Sequence, residues 1–253
     1  MQTKLIMPSN PDEIIITEEQ FFDYTYCPAM YYFKHIRKMN FPKRITISDI
    51  LNQTATYFFS ILLGGRFPTA KEVQRKWDSL CIENKGQLVQ SKIVSGWDRM
   101  LLFMQWAEKN QIMVGDVHTP YSIDVKNVTL RGNIDQILVN PVLHKVELFY
   151  PHFSTKFFNQ VKVESGTKYT IDAYAFKTVF NGEISGIHIY DPKRDKAVYT
   201  YRTEQDYAKL RTNIYSIGNA IKHGLFYTRE SVFCEHCPAN KLCKYFCLDL
   251  NEK

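Results

Sequence analysis

Apolar residues recur at helical spacing through the first half of the chain. Thr17-x-x-Gln20 has the form of a capping box, in which each residue's side chain satisfies the other's backbone N–H, and it opens a helix through "EEQFFDYTY". Pro28 forces a break, because proline has no N–H to donate and its ring clashes with the preceding turn; "AMYYFKHI" then resumes helically. A second amphipathic segment follows Ser48 ("DILNQTATYFFSILL"), Thr69-x-x-Glu72 caps a third, and a long one covers about 87–110. From about residue 112 the period falls to two. "YSIDV", "VTLRGNIDQILV" and "HKVELFY" alternate like strands, with Asn140-Pro141 turning between the last two. A helix "KYTIDAYAFKTVF" comes next, then a hairpin of "GIHIY" and "AVYTYR" around "DPKRD", then a helix over about 204–222. This order predicts an α/β core with an N-terminal helical insertion and a cysteine-bearing tail. One domain is expected over 1–253, with a mainly helical part at 17–112, the sheet at 113–203 and the last helix and cysteines at 204–253.

Composition changes little in that picture. A chain of 253 residues with 45% hydrophobic and 14% aromatic residues buries a sizeable core and is not disordered. "MQTKLIMPSNPDEII" lacks the apolar run of a leader, and "YFFSILLGG" is too short to span a bilayer, so a soluble cytoplasmic protein without a membrane partner is expected. In that reducing setting six cysteines point to metal rather than to disulfides.

Charge matters more by its placement than by its net value of +6. Asp12, Glu13, Glu18, Glu19 and Asp23 crowd the start. Lys34, Arg37, Lys38, Lys43 and Arg44 then follow within "YYFKHIRKMNFPKR", without an acid among them. A cationic stretch interleaved with aromatics can track a phosphate backbone and stack bases, although a solvated helix face has the same composition. These five residues are the sequence's candidates for DNA contact.

"FCEHCPANKLCKYF" spaces three thiols as Cys234-x2-Cys237-x5-Cys243, one short of a four-coordinate site. Cys81 falls mid-helix and Cys247 lies close behind Cys243. Cys27 is the preferred fourth ligand: it shares a Cys-Pro pair with Cys237, and the break at Pro28 turns its sulfur outward. Zinc and iron–sulfur both fit such spacing, and in a zinc site His236 could replace one thiolate.

A Cys-Pro near the start paired with Cys-x2-Cys-x5-Cys near the end resembles the iron–sulfur branch of the RecB-like PD-(D/E)XK nucleases, which includes the CRISPR-adaptation Cas exonucleases and AddB-type subunits. "ITEEQFFDYTYCPAMYYFKH" echoes the family's opening segment, Gly132-Asn133-Ile134-Asp135 its G-x-(I/V)-D strand, and Thr170 to Tyr174 its Q-x-x-x-Y helix. The resemblance implies a restriction-endonuclease-like core, a mixed sheet flanked by helices, and a [4Fe–4S] cluster on Cys27, Cys234, Cys237 and Cys243. It also implies Mg²⁺ or Mn²⁺ held by Asp135 and Glu147, the ion polarising a phosphate and acidifying a water. The lysine two residues beyond the second carboxylate is here Phe149, the family's histidine position falls on Thr56, and its glutamine on Thr170. Lys145, two residues before Glu147, and Lys162 are candidates for a relocated lysine. With three of five active-site positions replaced, the expected protein is an iron–sulfur-stapled nuclease fold that binds or acts on DNA within a larger processing assembly, its catalysis lost or weak. The alternatives are an active exonuclease using Lys145 and a zinc-stabilised interaction module without a nucleic-acid role.

Overall fold

The computed structural model describes residues 13–42, 44–140, 142–154, 159–232 and 234–246, with side chains to residue 243. Lys43, Pro141 and Cys247 lie outside these residues. Contacts divide the chain into two compact units. One is built from 13–42, 122–132 and 208–246, the other from 44–121 and 133–207.

In the first unit β1 (Ile14–Thr17) leads directly into α1 (Glu18–Tyr26). The capping box forms as the sequence predicts: Gln20 N–H donates to Thr17 Oγ1 at 3.2 Å, and Thr17 N–H donates to Gln20 Oε1 at 2.8 Å. Cys27 interrupts the helix in extended backbone, and α2 (Pro28–Tyr31) starts on the proline and widens into a π-helical turn over Tyr32–Ile36. α8 (Glu204–Lys222) runs mostly in this unit. Its Gly218 lies so close to Val128 that a Cβ there would stand 2.5 Å from a methyl group, so only glycine permits the approach. A 3₁₀ turn (Cys234–His236) and α9 (Asn240–Phe246) complete the unit.

The second unit holds α3 (Ile47–Leu63), α4 (Ala70–Glu83) and α5 (Gln90–Lys109). α3 starts earlier than the apolar period suggests, because Thr46 caps it: Asp49 N–H donates to the threonine hydroxyl and the Asp49 carboxylate accepts from Thr46 N–H. Two strands, β2 (Val114–Val125) and β3 (Val128–Asn140), run through both units. β4 (Lys145–Pro151), α6 (Gln160–Glu164), α7 (Thr167–Phe180), β5 (Gly186–Asp191) and β6 (Lys196–Thr200) complete the second. The strands pair in the order β1-β3-β4-β5-β6, with β2 also on β3, in one mixed sheet flanked by helices. β3 and β4 are antiparallel, β4 and β5 parallel across the α6–α7 crossover, and β5 and β6 form the expected hairpin. The α/β core with a helical insertion is therefore present as predicted.

The helices of the second unit bury Ile50, Leu51, Phe58, Phe59, Trp77, Met100 and Phe103 in one core that includes Leu138 and Phe149 of the sheet. Among the described residues no helix is long and apolar enough to cross a membrane.

Candidate functional site

Three cysteines of the predicted set sit at breaks or turns in the helices, and the fourth, Cys243, on a short helix. Cys27 sits between two helices, held by its N–H to Asp23 O at 3.0 Å. Cys234 opens the 3₁₀ turn and accepts a backbone N–H from Ser231 at 3.3 Å; Cys237 follows the turn, and Cys243 rides on α9. All four line one cavity of about 50 Å³, with Tyr26, Phe33 and Ala239 around them. Burial pushes the Cys237 thiol up, and the neighbouring Cys27 and Cys234 add to the rise. Among the described residues no group of three or more His, Cys, Asp or Glu stands ready-made as a metal site. Thiols are the donors a soft metal takes, and the four cysteines border the same cavity, whose lining also includes Arg229 and Glu230. Cys81 is buried in α4 within the helical core.

The carboxylates behave differently. β3 and β4 pair with Leu138 opposite Glu147 and Ile137 opposite Leu148. Continued toward Asp135, that register sets it opposite Tyr150. Side chains alternate along a strand, so Asp135 belongs to one face of the sheet and Glu147 to the other. The structure does not bring Asp135 and Glu147 together. Asp135 lines a cleft of about 740 Å³ with Thr56, Lys76, His118, Tyr150 and Lys168. Glu147 lines a separate pocket of about 240 Å³ with Lys145, His188, Tyr199 and Trp106. Thr56, read from the sequence as the counterpart of a metal-contacting histidine, does reach the cleft of Asp135. Thr170 instead accepts a hydrogen bond from Arg202 Nε at 2.7 Å, and Lys162 stands exposed on α6. Phe149 is wholly buried in the helical core, stacked on Trp106 at 5.3 Å and Phe103 at 6.2 Å.

Beneath the cleft lies a cluster that the sequence reading missed. Asp172 is fully buried on α7; its carboxylate accepts the Tyr150 hydroxyl at 2.5 Å and Lys168 Nζ at 2.9 Å. Lys168 also donates to Asn133 O at 3.1 Å. Burial, then the charge of Asp172, holds the Tyr150 hydroxyl well above its usual range, so it stays protonated and donates. The available signal was Lys168-x3-Asp172, one helical turn apart, with Asp172 the one acidic residue of the helix.

The basic stretch is less free than its sequence suggests. Lys34 pairs with Glu19 at 2.7 Å and Asp23 at 2.8 Å, and His35 meets Asp23 at 2.6 Å. The acidic first helix thus takes up part of the charge that follows it. Arg37 lies over the Tyr32 ring at 5.4 Å, and Lys38 is exposed in left-handed backbone (φ 54°).

His188, beside Glu147, is 95% buried by its 5% exposure, and its Nε2 has no hydrogen-bond partner among the described residues. It stacks on Tyr199 at 4.3 Å and stands edge-on to Phe149 at 5.0 Å. Burial lowers its pKa to about 4. The native state thus resists protonation more than the unfolded chain does. This contribution is complete above the unfolded value of about 6.5 and is lost as pH falls through 4, with a ceiling of about 3 kcal/mol. Glu147 Oε2, 4.0 Å from Nδ1, and Lys145 are the charged groups in the same pocket. His188→Phe keeps a ring but cannot titrate. Its urea midpoint is expected to drop less than that of wild type between pH 7 and pH 4; equal drops in both proteins would assign the acid sensitivity to other groups.

No family model matches this chain, and no curated protein matches it either. Among solved structures, the crystal structure of a candidate exonuclease from Eubacterium rectale superposes over 95% of this chain and 94% of its own, with a TM-score of 0.58 and 10% sequence identity. A second, SSO0001, covers 87% of this chain and 95% of its own at 12% identity, but its TM-score of 0.36 is too low to bear on the fold. The first likeness is one of fold: the chain shares its architecture with that structure.

Proposed function

We propose that this protein binds DNA through a nuclease-like fold, that metal-dependent cleavage in it is lost or weak, and that it works within a larger nucleic-acid-processing assembly. The observation that carries this reading is the composition of the cleft: Asp135 is its one carboxylate among the described residues, set among lysines, a histidine and hydroxyl groups. Mg²⁺ keeps several waters and needs one or two carboxylates together with substrate phosphates. Asp135 alone offers a weak seat for such an ion, whereas Lys76 and Lys168 suit phosphate directly. In the same reading, Cys27, Cys234, Cys237 and Cys243 hold a [4Fe–4S] cluster as a crosslink; zinc on the same thiols is the alternative. One observation favours an active exonuclease as a second reading, namely a lysine, Lys168, in the cleft of Asp135.

The test is binding and single-turnover degradation of labelled single- and double-stranded oligonucleotides with Mg²⁺ or Mn²⁺, comparing wild type with Asp135→Ala. Binding with cleavage near background in both proteins is the expected result. Robust cleavage abolished by Asp135→Ala would establish the active enzyme instead.

A further inference from the structure

We infer that Lys168 is the cation that meets a nucleic-acid phosphate in the cleft, and that buried Asp172, itself fixed by Tyr150, is the positioning residue that aims it. This deepens the functional reading above and rests on it.

The strand positions that could supply a cation do not serve this cleft. Lys145 opens on the pocket of Glu147, and Phe149 faces the helical core. The nearest strand neighbour of Asp135 by register is Tyr150, which brings a phenol rather than a charge. The lysine instead comes from α7, one turn before Asp172.

That placement is costly for the fold alone. Lys168 lies in the first turn of α7, which contains no acidic residue, and the positive end of the helix dipole opposes a cation there. Asp172 is fully buried, and a carboxylate removed from water is tolerated only when it is paired and hydrogen-bonded. The Tyr150 hydroxyl and Lys168 Nζ supply those bonds, while Asn133 O gives the amine a second anchor. Buried Asp172 on α7 and the Asn133 carbonyl on β3 thus hold one ammonium, on a side chain 27% exposed, at the wall of a cleft that also contains Lys76. A merely structural ion pair needs no such opening onto a cavity; a phosphate contact does.

The experiment measures fluorescence anisotropy of a labelled single-stranded oligonucleotide over a salt series, with circular dichroism to confirm folding. The proteins compared are wild type, Lys168→Gln, Asp172→Asn and Tyr150→Phe, with Lys85→Gln as a control for loss of an exposed charge. Loss of one phosphate contact should flatten the slope of log affinity against log salt by about 0.7 and weaken binding roughly fourfold near 0.15 M salt. Lys85→Gln should leave both unchanged. Asp172→Asn separates position from charge: it makes the cleft more positive, so simple attraction would tighten binding, whereas loss of the amine's anchor weakens it. Weaker binding by Asp172→Asn is expected, and by Tyr150→Phe if the asparagine variant does not fold. Should wild type bind while Lys168→Gln matches Lys85→Gln in slope and affinity, this inference fails and the functional reading stands. Tighter binding by a folded Asp172→Asn would overturn the positioning role. If wild type binds no nucleic acid, the functional reading falls and this inference with it.

Discussion

Protein purified without oxygen is expected to be brown, with a broad visible absorption that disappears in Cys27→Ser and in Cys237→Ser. The four thiols line one cavity, yet they come from opposite ends of the described chain. A group bonded to all four would therefore close a loop of about 200 residues. On the logarithmic scaling of closure entropy, that crosslink is worth roughly 5 kcal/mol before its constant term. Because whole-domain stabilities run to about 5–15 kcal/mol, either serine variant should lose much of its stability, read as a lower urea midpoint, as well as its colour. Cys81 is packed in the helical core, so Cys81→Ser should leave the absorption intact. A colourless protein with one stoichiometric zinc would replace the cluster with a zinc staple. A protein without metal that loses nothing in Cys27→Ser would remove the staple altogether.

Placing a lysine at position 149, where the resembled nucleases carry one, is expected to unfold the protein rather than to awaken it. Phe149 has no exposed surface, and its ring meets Trp106, Phe103, Phe59 and His188. Deleting such a ring costs about 3–5 kcal/mol. Phe149→Lys adds an ammonium with no carboxylate among those neighbours, so the total approaches the stability of a whole domain. Phe149→Leu keeps the position apolar and should cost only about 1–2 kcal/mol. Urea denaturation of the two variants, with cleavage assays on whatever folds, decides the matter. A folded Phe149→Lys that gains Mg²⁺-dependent cleavage would show that β4 does present this position to the substrate.

The elements were legible in the sequence because their signals are local. Thr17 with Gln20 and Thr69 with Glu72 form the capping boxes that their spacing announces, and Pro28 breaks the helix where its missing N–H demands. That Cys27, Cys234, Cys237 and Cys243 line one cavity was anticipated from the Cys-Pro pair and the C-x2-C-x5-C spacing. β1 was not legible, because three isoleucines before a helix cap acquire a strand only through a parallel partner more than a hundred residues away, Ile14 against Val128. Nor was the separation of Asp135 from Glu147. Alternation within each strand shows which residues share a side, but the pairing register decides which strand positions meet, and it depends on the Asn140–Lys145 connection. Lys34 likewise looked available to a phosphate until its pairing with Glu19 and Asp23 was known.

The Tyr24 hydroxyl donates to Leu225 O at 2.6 Å across 201 residues of sequence, and Arg229 reaches the Thr25 carbonyl across 204. A ribosome adding about 5–20 residues per second needs roughly 10–40 s to cover that interval. Throughout it the first helices wait without these partners, and Cys27 waits without Cys234, Cys237 and Cys243. A metal bonded to all four thiols would therefore have to load after Cys243 is made, and a nascent chain stalled short of Cys234 would offer it only one of the four sulfurs.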